Sequence, residues 1–308
     1  MKILIVCSGN SGRISPYISD QKEALEKLGI NIKIFLIKGK GLIGYLRNLP
    51  KLKNYIKDYC PDLIHAHYGL SGLLATFQHI KPVIITLHGS DINSSMPRFF
   101  SKIALHRASR VIFVSKKMAD KIKINNPIII PCGINLDIFY PDGKKQSLRK
   151  MGLNPEKEYV LFSSHFNNKV KNVSLAFKSI NYLREYKNNI EFLELKNYKR
   201  NEVAILMNAV DVALLTSFSE GSPQFIKEAM ACNCPIVTTD VGDVRWILGN
   251  TEGCYITNYK PENVAKAIQK ALCYRKRTTG RERIKQLELD SESVANKIIA
   301  VYNEVLAS

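Results

Sequence analysis

The sequence predicts two Rossmann-like α/β domains in tandem. Short apolar runs alternate with stretches of helical periodicity, which is typical of parallel sheets covered by helices on both faces. A length of 308 residues suits two domains, and a polar segment with Pro and Gly near 140–158 separates two such series. We therefore expect an N-terminal domain at 1–145, a C-terminal domain at 146–290, and a final helix at 291–308 that packs back on the N-terminal domain.

The first series alternates candidate strands with candidate helices. The strands are the apolar runs 3–7, 30–37 and 62–65, followed by VIITL, VIFVS and III. The helices are 16–28, 42–59, 71–79, 97–108 and 115–123, with Pro50 interrupting the second. Right-handed crossovers join parallel strands of this kind, so the series predicts one Rossmann-like domain.

The second series repeats the pattern. Its candidate strands are YVLFSS, IEFLEL, VALLTS, PIVTT and CYIT, and its candidate helices are 172–186, 201–209, 223–232, 243–248 and 261–275. In the final helix, one face carries Val294, Ile298, Val301 and Val305. Because ligands bind beyond the carboxyl ends of parallel strands, we expect both sets of strand ends to line one cleft between facing domains.

The formal net charge is +18, and the excess of Lys and Arg is greater in the first half of the chain. Such a charge suits an anionic membrane surface, a phosphorylated substrate or a nucleic acid. No nucleic-acid-binding motif accompanies it, so a nucleic-acid partner is not expected. The start, MKILIVCSGN, is predicted to be a strand and not a signal peptide, and no run approaches the roughly 20 apolar residues of a membrane span. We therefore expect the protein in the cytoplasm.

The run EGSPQFIKEAMACNCPIVTT follows the candidate strand VALLTS and carries the most specific chemistry. A helix is predicted to open at Pro223, because proline fits the first helical position, and Ser222 is available to cap it. The unpaired backbone N–H groups at such a helix start suit a diphosphate. Glu220 precedes the helix and Glu228 lies inside it, and carboxylates accept hydrogen bonds from sugar and ribose hydroxyls. The combination predicts a nucleotide-sugar site.

This run resembles the signature of retaining glycosyltransferases of family 4, which have the GT-B fold and a pattern of the type E-G-x-P-x-x-x-x-E-A-M-A-x-x-x-P-V-V-x-T. The strings HAHYGLSG, LHGSD, VSKKM and PCGINLDIFYP match in the family's order, so the resemblance covers residue 1 to about 275. It implies that Glu228 binds the ribose hydroxyls of the donor and that Glu220 lies beside the donor sugar. It also implies that the backbone of Gly221 and Ser222 approaches sugar and phosphate.

The run FSSHFNNKVKN follows the candidate strand YVLF. In the family, a Gly-Arg pair and a later Lys neutralise the donor diphosphate at this place, and Lys171 matches the Lys. His165 or a neighbouring serine stands where the family has Arg, and a neutral histidine is a weaker phosphate ligand. The resemblance therefore implies a catalytic Lys171, with His165 and Lys169 as further donor-binding residues.

Two histidine motifs follow candidate strands of the first series. His88 in LHGSD lies at a strand end, where an imidazole can hydrogen-bond a sugar hydroxyl, and the resemblance places it near the donor sugar as a catalytic residue. Asp91 is expected to orient His88 or to bind the acceptor. His67 in HAHYGLSG is expected to line the cleft, together with Tyr68 and Gly69.

The first loop contains Gly9, Asn10 and Gly12. Glycines let a backbone approach a bound group closely, so this loop is expected to contact the diphosphate or the acceptor. Its spacing is not the dinucleotide fingerprint G-x-G-x-x-G, and the next candidate strand ends at Lys38 without an acidic residue. A nicotinamide dinucleotide is therefore not expected.

Metal-binding patterns such as D-x-D, H-E-x-x-H or a His/Cys cluster are absent from the sequence, so no metal is expected and Lys171 with helix dipoles would supply the positive charge. The segment 39–59 mixes Lys and Arg with Leu, Ile and Tyr at helical spacing. This pattern suits an anionic membrane surface, and it equally suits a crossover helix that packs on the sheet.

The sequence thus predicts a metal-independent, retaining glycosyltransferase without a cofactor. Its donor would be a nucleotide-sugar such as a UDP- or GDP-sugar, and its acceptor a glycan or a lipid-linked glycan of bacterial surface polysaccharide or glycoconjugate synthesis. Peripheral binding at the inner face of the plasma membrane would accompany this role. The alternatives are a sugar phosphorylase or sugar-phosphate transferase on the same fold, a degenerate nucleotide-sugar-binding protein, and a basic nucleic-acid protein.

Overall fold

The computed structural model describes residues 1–93 and 95–308, and side chains are described except at 93 and 95–97. The chain divides into two compact units. Unit 1 comprises Met1–Gly133 and Ser291–Ser308, and unit 2 comprises Ile134–Asp290. Each unit is a parallel α/β unit of the Rossmann type, so the predicted fold class is confirmed.

Unit 1 is built on a six-stranded parallel sheet with the order β2-β1-β3-β4-β5-β6. Its strands are β1 (Lys2–Ser8), β2 (Asn31–Ile37), β3 (Leu63–His67), β4 (Val83–Leu87), β5 (Arg110–Phe113) and β6 (Ile128–Ile129). Helices in its first segment are α1 (Pro16–Lys27), α2 (Gly41–Leu46), α3 (Leu49–Tyr59), α4 (Gly69–Thr76), α5 (Ser90–Asn93), α6 (Ser95–Leu105) and α7 (Lys116–Ile122).

The apolar run of β1 explains why this strand lies inside the sheet. Ile3 and Ile5 face one core of the unit, whereas Leu4 and Val6 face the other. Successive side chains of a strand point to opposite faces, so a strand that is covered on both faces must be apolar at every position. All four residues are fully buried.

Unit 2 is built on a five-stranded parallel sheet with the order β11-β10-β9-β7-β8. Its strands are β7 (Glu158–Phe162), β8 (Ile190–Glu194), β9 (Val212–Leu215), β10 (Ile236–Thr239) and β11 (Cys254–Thr257). Its helices are α8 (Lys144–Met151), α9 (Val173–Arg184), α10 (Arg200–Ala209), α11 (Gln224–Ala231), α12 (Val244–Leu248), α13 (Pro261–Tyr274) and α14 (Gly280–Gln286).

The last helix, α15 (Ser291–Ala307), is part of unit 1. Its apolar face, with Ile298 at the middle, is buried in the same core as Ile3 and Ile5 of β1. The Tyr302 hydroxyl lies 2.6 Å from Nδ1 of His65 in β3. Residues far apart in sequence therefore complete one face of the first sheet.

The division between the units falls after Gly133, whereas the sequence places the boundary at 145. The segment that follows Gly133 is fixed within unit 2 by hydrogen bonds. The Ile134 amide donates to the Leu289 carbonyl at 2.9 Å, and the side chain of Arg281 donates through Nη1 to the Phe139 carbonyl at 2.6 Å. The polar stretch near 140–158 also contains α8. The stretch is polar because most of α8 is exposed to solvent, and it is not a linker between the units.

The segment 39–59 forms two helices, and the break falls at Arg47 and Asn48, not at Pro50. Pro50 is the second residue of α3, where its missing N–H costs no helical bond. Leu52, Ile56 and Tyr59 of α3 are buried in the core, so this apolar face covers the sheet as a crossover helix does. Within the described residues, no helix combines the length and the apolar character that crossing a bilayer requires.

Candidate functional site

The predicted donor residues of unit 2 follow the carboxyl ends of neighbouring strands. Lys171 follows β7, which pairs directly with β9, and Glu220 follows β9. Glu228 lies inside α11, the helix after Glu220. The carboxyl ends of parallel strands meet at one edge of the sheet, which is the usual ligand-binding edge of such folds.

Lys171 and Glu220 form an ion pair at this edge. Lys171 Nζ lies 2.5 Å from Glu220 Oε1, and Ser217 Oγ donates to the same oxygen at 2.6 Å. The loop that carries Lys171 is fixed to β9 because Thr216 Oγ1 donates to the Lys171 carbonyl at 2.9 Å. The structure thus brings together the two residues for which the sequence predicts roles at the diphosphate and the sugar.

Glu228 is paired with a residue that the sequence analysis missed. Arg200, the first residue of α10, is ion-paired through Nη1 with Glu228 Oε1. The Arg200 guanidinium also lies over the Phe139 ring, 4.6 Å from its centroid. Only 8% of the Glu228 side chain is exposed, so the arginine neutralises a carboxylate that burial would otherwise disfavour. Arg200 stands among several lysines in a polar stretch, and no sequence pattern distinguishes it from a solvent-exposed basic residue.

The start of α11 differs from the prediction. The helix begins at Gln224, and Pro223 is its N-cap residue with an extended backbone. Ser222 does not cap it, because within the described chain no side chain caps this helix and the Ser222 hydroxyl is bonded by Lys227 Nζ at 3.1 Å. Gly221 packs against the loop after β10 so closely that a Cβ on Gly242 would lie 2.6 Å from its carbonyl oxygen. The backbone geometry expected of an anion-binding helix start is present without a capping side chain.

His165 and Lys169 both lie on the exposed loop after β7. Their carbonyl oxygens stabilise the loop, accepting from the amides of Asn168 and Asn172 at 3.1 Å. The structure places neither side chain in the Lys171–Glu220 pair. A role for these two residues at the donor phosphates stays a prediction.

Two aromatic side chains near this edge were not predicted from the sequence. Phe218, in the loop between β9 and Glu220, is 61% exposed and stacks on Tyr259, with ring centroids 6.0 Å apart and planes inclined by 19°. The Tyr259 hydroxyl donates to the Ser217 carbonyl at 3.1 Å. The two rings thus form an exposed aromatic surface beside the loop that leads to Glu220.

In unit 1, the histidine motifs meet at the ends of β3 and β4. His67 Nδ1 lies 2.9 Å from His88 Nε2. Tyr17 and Tyr68 place their rings 4.9 and 4.7 Å from the His88 ring, and their hydroxyls are hydrogen-bonded to each other. His67 is fully buried, so it does not line a surface as the sequence suggested. It contacts His88 instead, which is partly exposed.

Asp91 holds the backbone around His88. Its Oδ2 accepts from the His88 amide at 2.5 Å and its Oδ1 from the Gly69 amide at 3.2 Å. Burial raises the pKa of Asp91 to about 6, although these backbone hydrogen bonds act in the opposite direction. Asp91 therefore positions the main chain of both histidine motifs.

Tyr68 has a strained backbone. Its φ of 73° and ψ of 151° lie in a region that is almost restricted to glycine. The strained turn leads directly into α4, where a Cβ on Gly69 would lie 1.9 Å from Ser101 Oγ. Such strain persists where the surrounding structure enforces it, commonly at functional sites.

The first loop is held by β2 and the turn after it. The Asn10 amide bonds both backbone groups of Gly39, accepting from its N–H at 2.9 Å and donating to its carbonyl at 2.7 Å. The Gly9 amide donates to the Ile37 carbonyl at 2.8 Å. The Asn10 side chain is thus used to fix the loop, whereas Gly12, with a φ of 74°, is exposed and has open space around its Cα. Across residues 1–93 and 95–308, no His, Cys, Asp and Glu side chains are grouped in threes that could hold a metal ion.

Comparisons with known proteins agree with these features. A model of Glycosyltransferase Family 4 matches residues 4–138, and a model of Glycosyl transferases group 1 matches residues 177–273. An uncharacterized glycosyltransferase of Methanocaldococcus jannaschii is 33% identical over 67% of this chain and 64% of its own length. The putative teichuronic acid biosynthesis glycosyltransferase TuaC of Bacillus subtilis is 26% identical over 69% of this chain and 61% of its own length. The matches thus span less than two thirds of these two relatives.

Solved structures share the fold. Sucrose-phosphate synthase from Thermosynechococcus elongatus superposes with a TM-score of 0.81 at 18% identity, covering 100% of this chain and 99% of that one. Anabaena HepE in complex with UDP-glucose gives a TM-score of 0.70 at 18% identity, covering 99% of this chain and 100% of that one. These neighbours are GT-B glycosyltransferases. They show the GT-B fold, and the two family models, which together match more than half of the chain, show that it belongs to the glycosyltransferases of family 4 and group 1.

Proposed function

We propose that the protein is a retaining glycosyltransferase that moves a sugar from a nucleotide-sugar donor to a glycan or lipid-linked glycan. The observation that carries this proposal is the Lys171–Glu220 ion pair at the carboxyl ends of β7 and β9. The buried Glu228 lies in α11, the helix that directly follows Glu220. A cation for the diphosphate and two carboxylates for hydroxyl groups are the groups that such a donor requires.

The donor chemistry follows from these residues. Glu228 would accept hydrogen bonds from the ribose hydroxyls, and the uncapped start of α11 with Lys171 would bind the diphosphate. As the bond to the anomeric carbon breaks, negative charge grows on the leaving phosphate oxygen, and the Lys171 ammonium stabilises it. Glu220 would hold the sugar hydroxyls. No general base is assigned, because the leaving phosphate can take the acceptor proton on the same face of the sugar.

The comparisons support a UDP-sugar as the donor. HepE has been solved with UDP, with UDP and glucose, and with UDP-glucose. A 23% identical relative from Escherichia coli is named a UDP-Gal:alpha-D-GlcNAc-diphosphoundecaprenol alpha-1,3-galactosyltransferase. That name and the one of TuaC support a lipid-linked or polymeric glycan acceptor in bacterial surface polysaccharide synthesis, which we assign to unit 1 with His88.

Peripheral membrane binding through 39–59 would suit a lipid-linked acceptor. Ile43 is 69% exposed, and Arg47, Lys51 and Lys57 of the same segment are also exposed. Because the apolar face of α3 is buried, the attraction would be mainly electrostatic and salt-sensitive. Replacing Lys51 and Lys57 by Gln should reduce pelleting with phosphatidylserine vesicles, whereas replacing the exposed Lys145 and Lys178 of unit 2 should not. Equal pelleting of both double variants would exclude this surface.

A non-catalytic nucleotide-sugar-binding protein is the second candidate. It is favoured by the internal pairing of both site carboxylates, Glu220 with Lys171 and Glu228 with Arg200, together with the exposed His165 where the family has Arg. In this case the protein would bind a nucleotide-sugar without consuming it.

A thermal-shift screen followed by a turnover assay separates the two candidates. UDP, GDP, ADP and their sugars are screened first, and the nucleotide-sugar that raises Tm is incubated with short glycans and lipid-linked glycans while release of the nucleoside diphosphate is measured. Glu228→Ala should abolish the shift, and the exposed Glu282→Ala should keep it. A shift that persists in Glu228→Ala would refute the ribose assignment, and binding without release with any acceptor would favour the non-catalytic protein.

A further inference from the structure

His67 has one ring nitrogen paired and the other buried without a partner. Its Nδ1 lies 2.9 Å from His88 Nε2. Its Nε2 is shielded from solvent and has no hydrogen-bond partner among the described residues. The ring stacks on His65, with centroids 4.6 Å apart and planes inclined by 21°. Burial lowers the pKa of His67 well below 6.5, and the neighbouring His65 and His88 lower it further, so the ring is neutral and carries one N–H.

The position of that proton decides the state of His88. If the His67 proton were on Nε2, a buried N–H would have no acceptor, and orphaned buried N–H groups are rare in folded proteins. If it is on Nδ1, it is donated to His88 Nε2 across the 2.9 Å contact, and only a lone pair of His67 stays without a partner. The second arrangement satisfies the donor, so it is the one that the buried environment favours.

We infer that His67 is a positioning residue that holds neutral His88 in the tautomer with its proton on Nδ1. Because His88 Nε2 accepts the bond from His67, the remaining N–H of His88 is at Nδ1. That atom lies 3.6 Å from Cys132 Sγ. The Nδ1–H of His88 would thus be directed at Cys132 Sγ, and Nε2, which accepts from His67, would not act as a base.

The ring stack beneath His67 limits any rotation that could reverse this arrangement. His65 is held at both nitrogens, with Nδ1 2.6 Å from the Tyr302 hydroxyl of α15 and Nε2 2.7 Å from Thr86 Oγ1. The backbone of His88 is held in place, because its amide donates to Asp91 Oδ2. His67, through its stacking on His65, and His88, through its backbone bond to Asp91, are therefore each held by a residue outside the pair.

Nitrogen-15 NMR of histidine-labelled protein tests the tautomer without any assay of activity. His88→Gln identifies the His88 signals among the six histidines. In the wild type we expect a protonated Nδ1 and an unprotonated Nε2 at His88, which is the opposite of the form that neutral histidine favours in water. In His67→Leu, His88 should change to the Nε2–H form. His67→Asn, whose amide can place an N–H near the former Nδ1, should keep the Nδ1–H form.

The exposed His106→Asn serves as a control for labelling and folding, and Tm values check that each variant is folded. A wild-type His88 protonated on Nε2, or an unchanged tautomer in folded His67→Leu, would overturn the inference. If His67→Leu does not fold, His67→Asn and the wild-type spectrum still decide it.

The effect on rate rests on the proposed transferase activity. With the donor found by the screen, His67→Leu should lower kcat by about tenfold or more with little change in KM for the donor, and His67→Asn should restore most of it. If His67 had only a structural role, kcat of both variants would fall in proportion to their loss of Tm. Absence of turnover in the wild type would contradict the proposed function and leave the NMR result valid, so the two failures are distinguishable.

Discussion

Arg200 forms an ion pair with Glu228, and the same guanidinium lies over the ring of Phe139. The carboxylate proposed to bind ribose is therefore already neutralised by a residue at the first position of α10. A ribose would share this carboxylate with Arg200, since Glu228 has a second oxygen and each carboxylate oxygen accepts more than one hydrogen bond.

This pairing predicts coupled effects on stability. Arg200→Ala should lower the free energy of unfolding of unit 2 by about 2 kcal/mol, because it leaves a nearly buried carboxylate without its cation, with some solvent screening on the arginine side. The double variant Arg200→Ala/Glu228→Ala should recover part of this loss. Urea unfolding of the two single variants and the double variant measures the coupling. Strictly additive losses would contradict an energetic role for the pair.

Lys171 is expected to matter for rate more than for folding. Lys171→Ala should lower kcat by about 100-fold, because the charge on the leaving diphosphate loses its closest cation. Lys178→Ala, on the exposed side of α9, removes the same charge from unit 2 and should leave kcat within a factor of about three. Release of nucleoside diphosphate gives both values. Similar rates for the two variants would mean that net charge, and not the Lys171–Glu220 geometry, matters.

His65 makes stability depend on pH. Burial lowers its pKa from 6.5 to about 3, so below pH 6.5 the unfolded chain binds a proton that the folded chain does not. Stability should therefore fall as the pH decreases from 6.5 towards 3. His67 acts in the same direction. Asp91 acts in the opposite direction, because its raised pKa of about 6 weakens the fold as the pH rises from 3.8 to 6.

Comparison of the wild type with His65→Gln isolates the contribution of His65 to the pH dependence of stability. The variant should unfold in urea with a free energy that depends less on pH between 6.5 and 3, although it is less stable overall, because Tyr302 and Thr86 lose part of their bonds. His106→Gln, which replaces an exposed histidine, should keep the wild-type slope. Parallel pH profiles for all three proteins would refute the assignment.

Removal of apolar volume from α15 should destabilise unit 1. Ile298→Ala creates a cavity in the core shared with β1 and should cost about 2–5 kcal/mol. The matched change Asn303→Ala, on the exposed side of the same helix, should cost little. Hydrogen exchange of the β1 amides reports on unit 1 alone. Protection of β1 that is unchanged in Ile298→Ala would show that α15 is not part of this core.

The apolar strands and the motifs after them were predictable because they depend on local pattern. A run such as Ile3–Val6 must be buried on both faces, and the spacing of Glu220 and Glu228 is visible in the sequence. Arg200 was not predictable, because its partner lies on another helix and its neighbours in sequence are ordinary polar residues. The boundary at Gly133 was missed for a similar reason, since Arg281 fixes the following segment from far along the chain.

The histidine cluster shows the same limit in unit 1. The sequence places His67 and His88 after neighbouring strands, and the structure brings them together. His67 stacks on His65, which in turn packs against Tyr302 of α15, and local sequence does not report such packing. The sequence likewise suggests that the Asn10 side chain can contact a ligand. In the structure, its amide instead makes two hydrogen bonds to the backbone of Gly39.

The position of α15 has a consequence for how the chain is made. The sequence of unit 2 is enclosed by that of unit 1, so a nascent chain leaves the ribosome with every strand of both sheets before residues Ser291–Ala307 have been synthesised. Until then, the core around Ile3 and Ile5 of β1 lacks the apolar residues that α15 contributes. We expect unit 2 to mature before unit 1, because unit 1 cannot complete its core until α15 has been synthesised. Completion of the N-terminal core thus depends on a helix that follows the whole of unit 2 in the sequence.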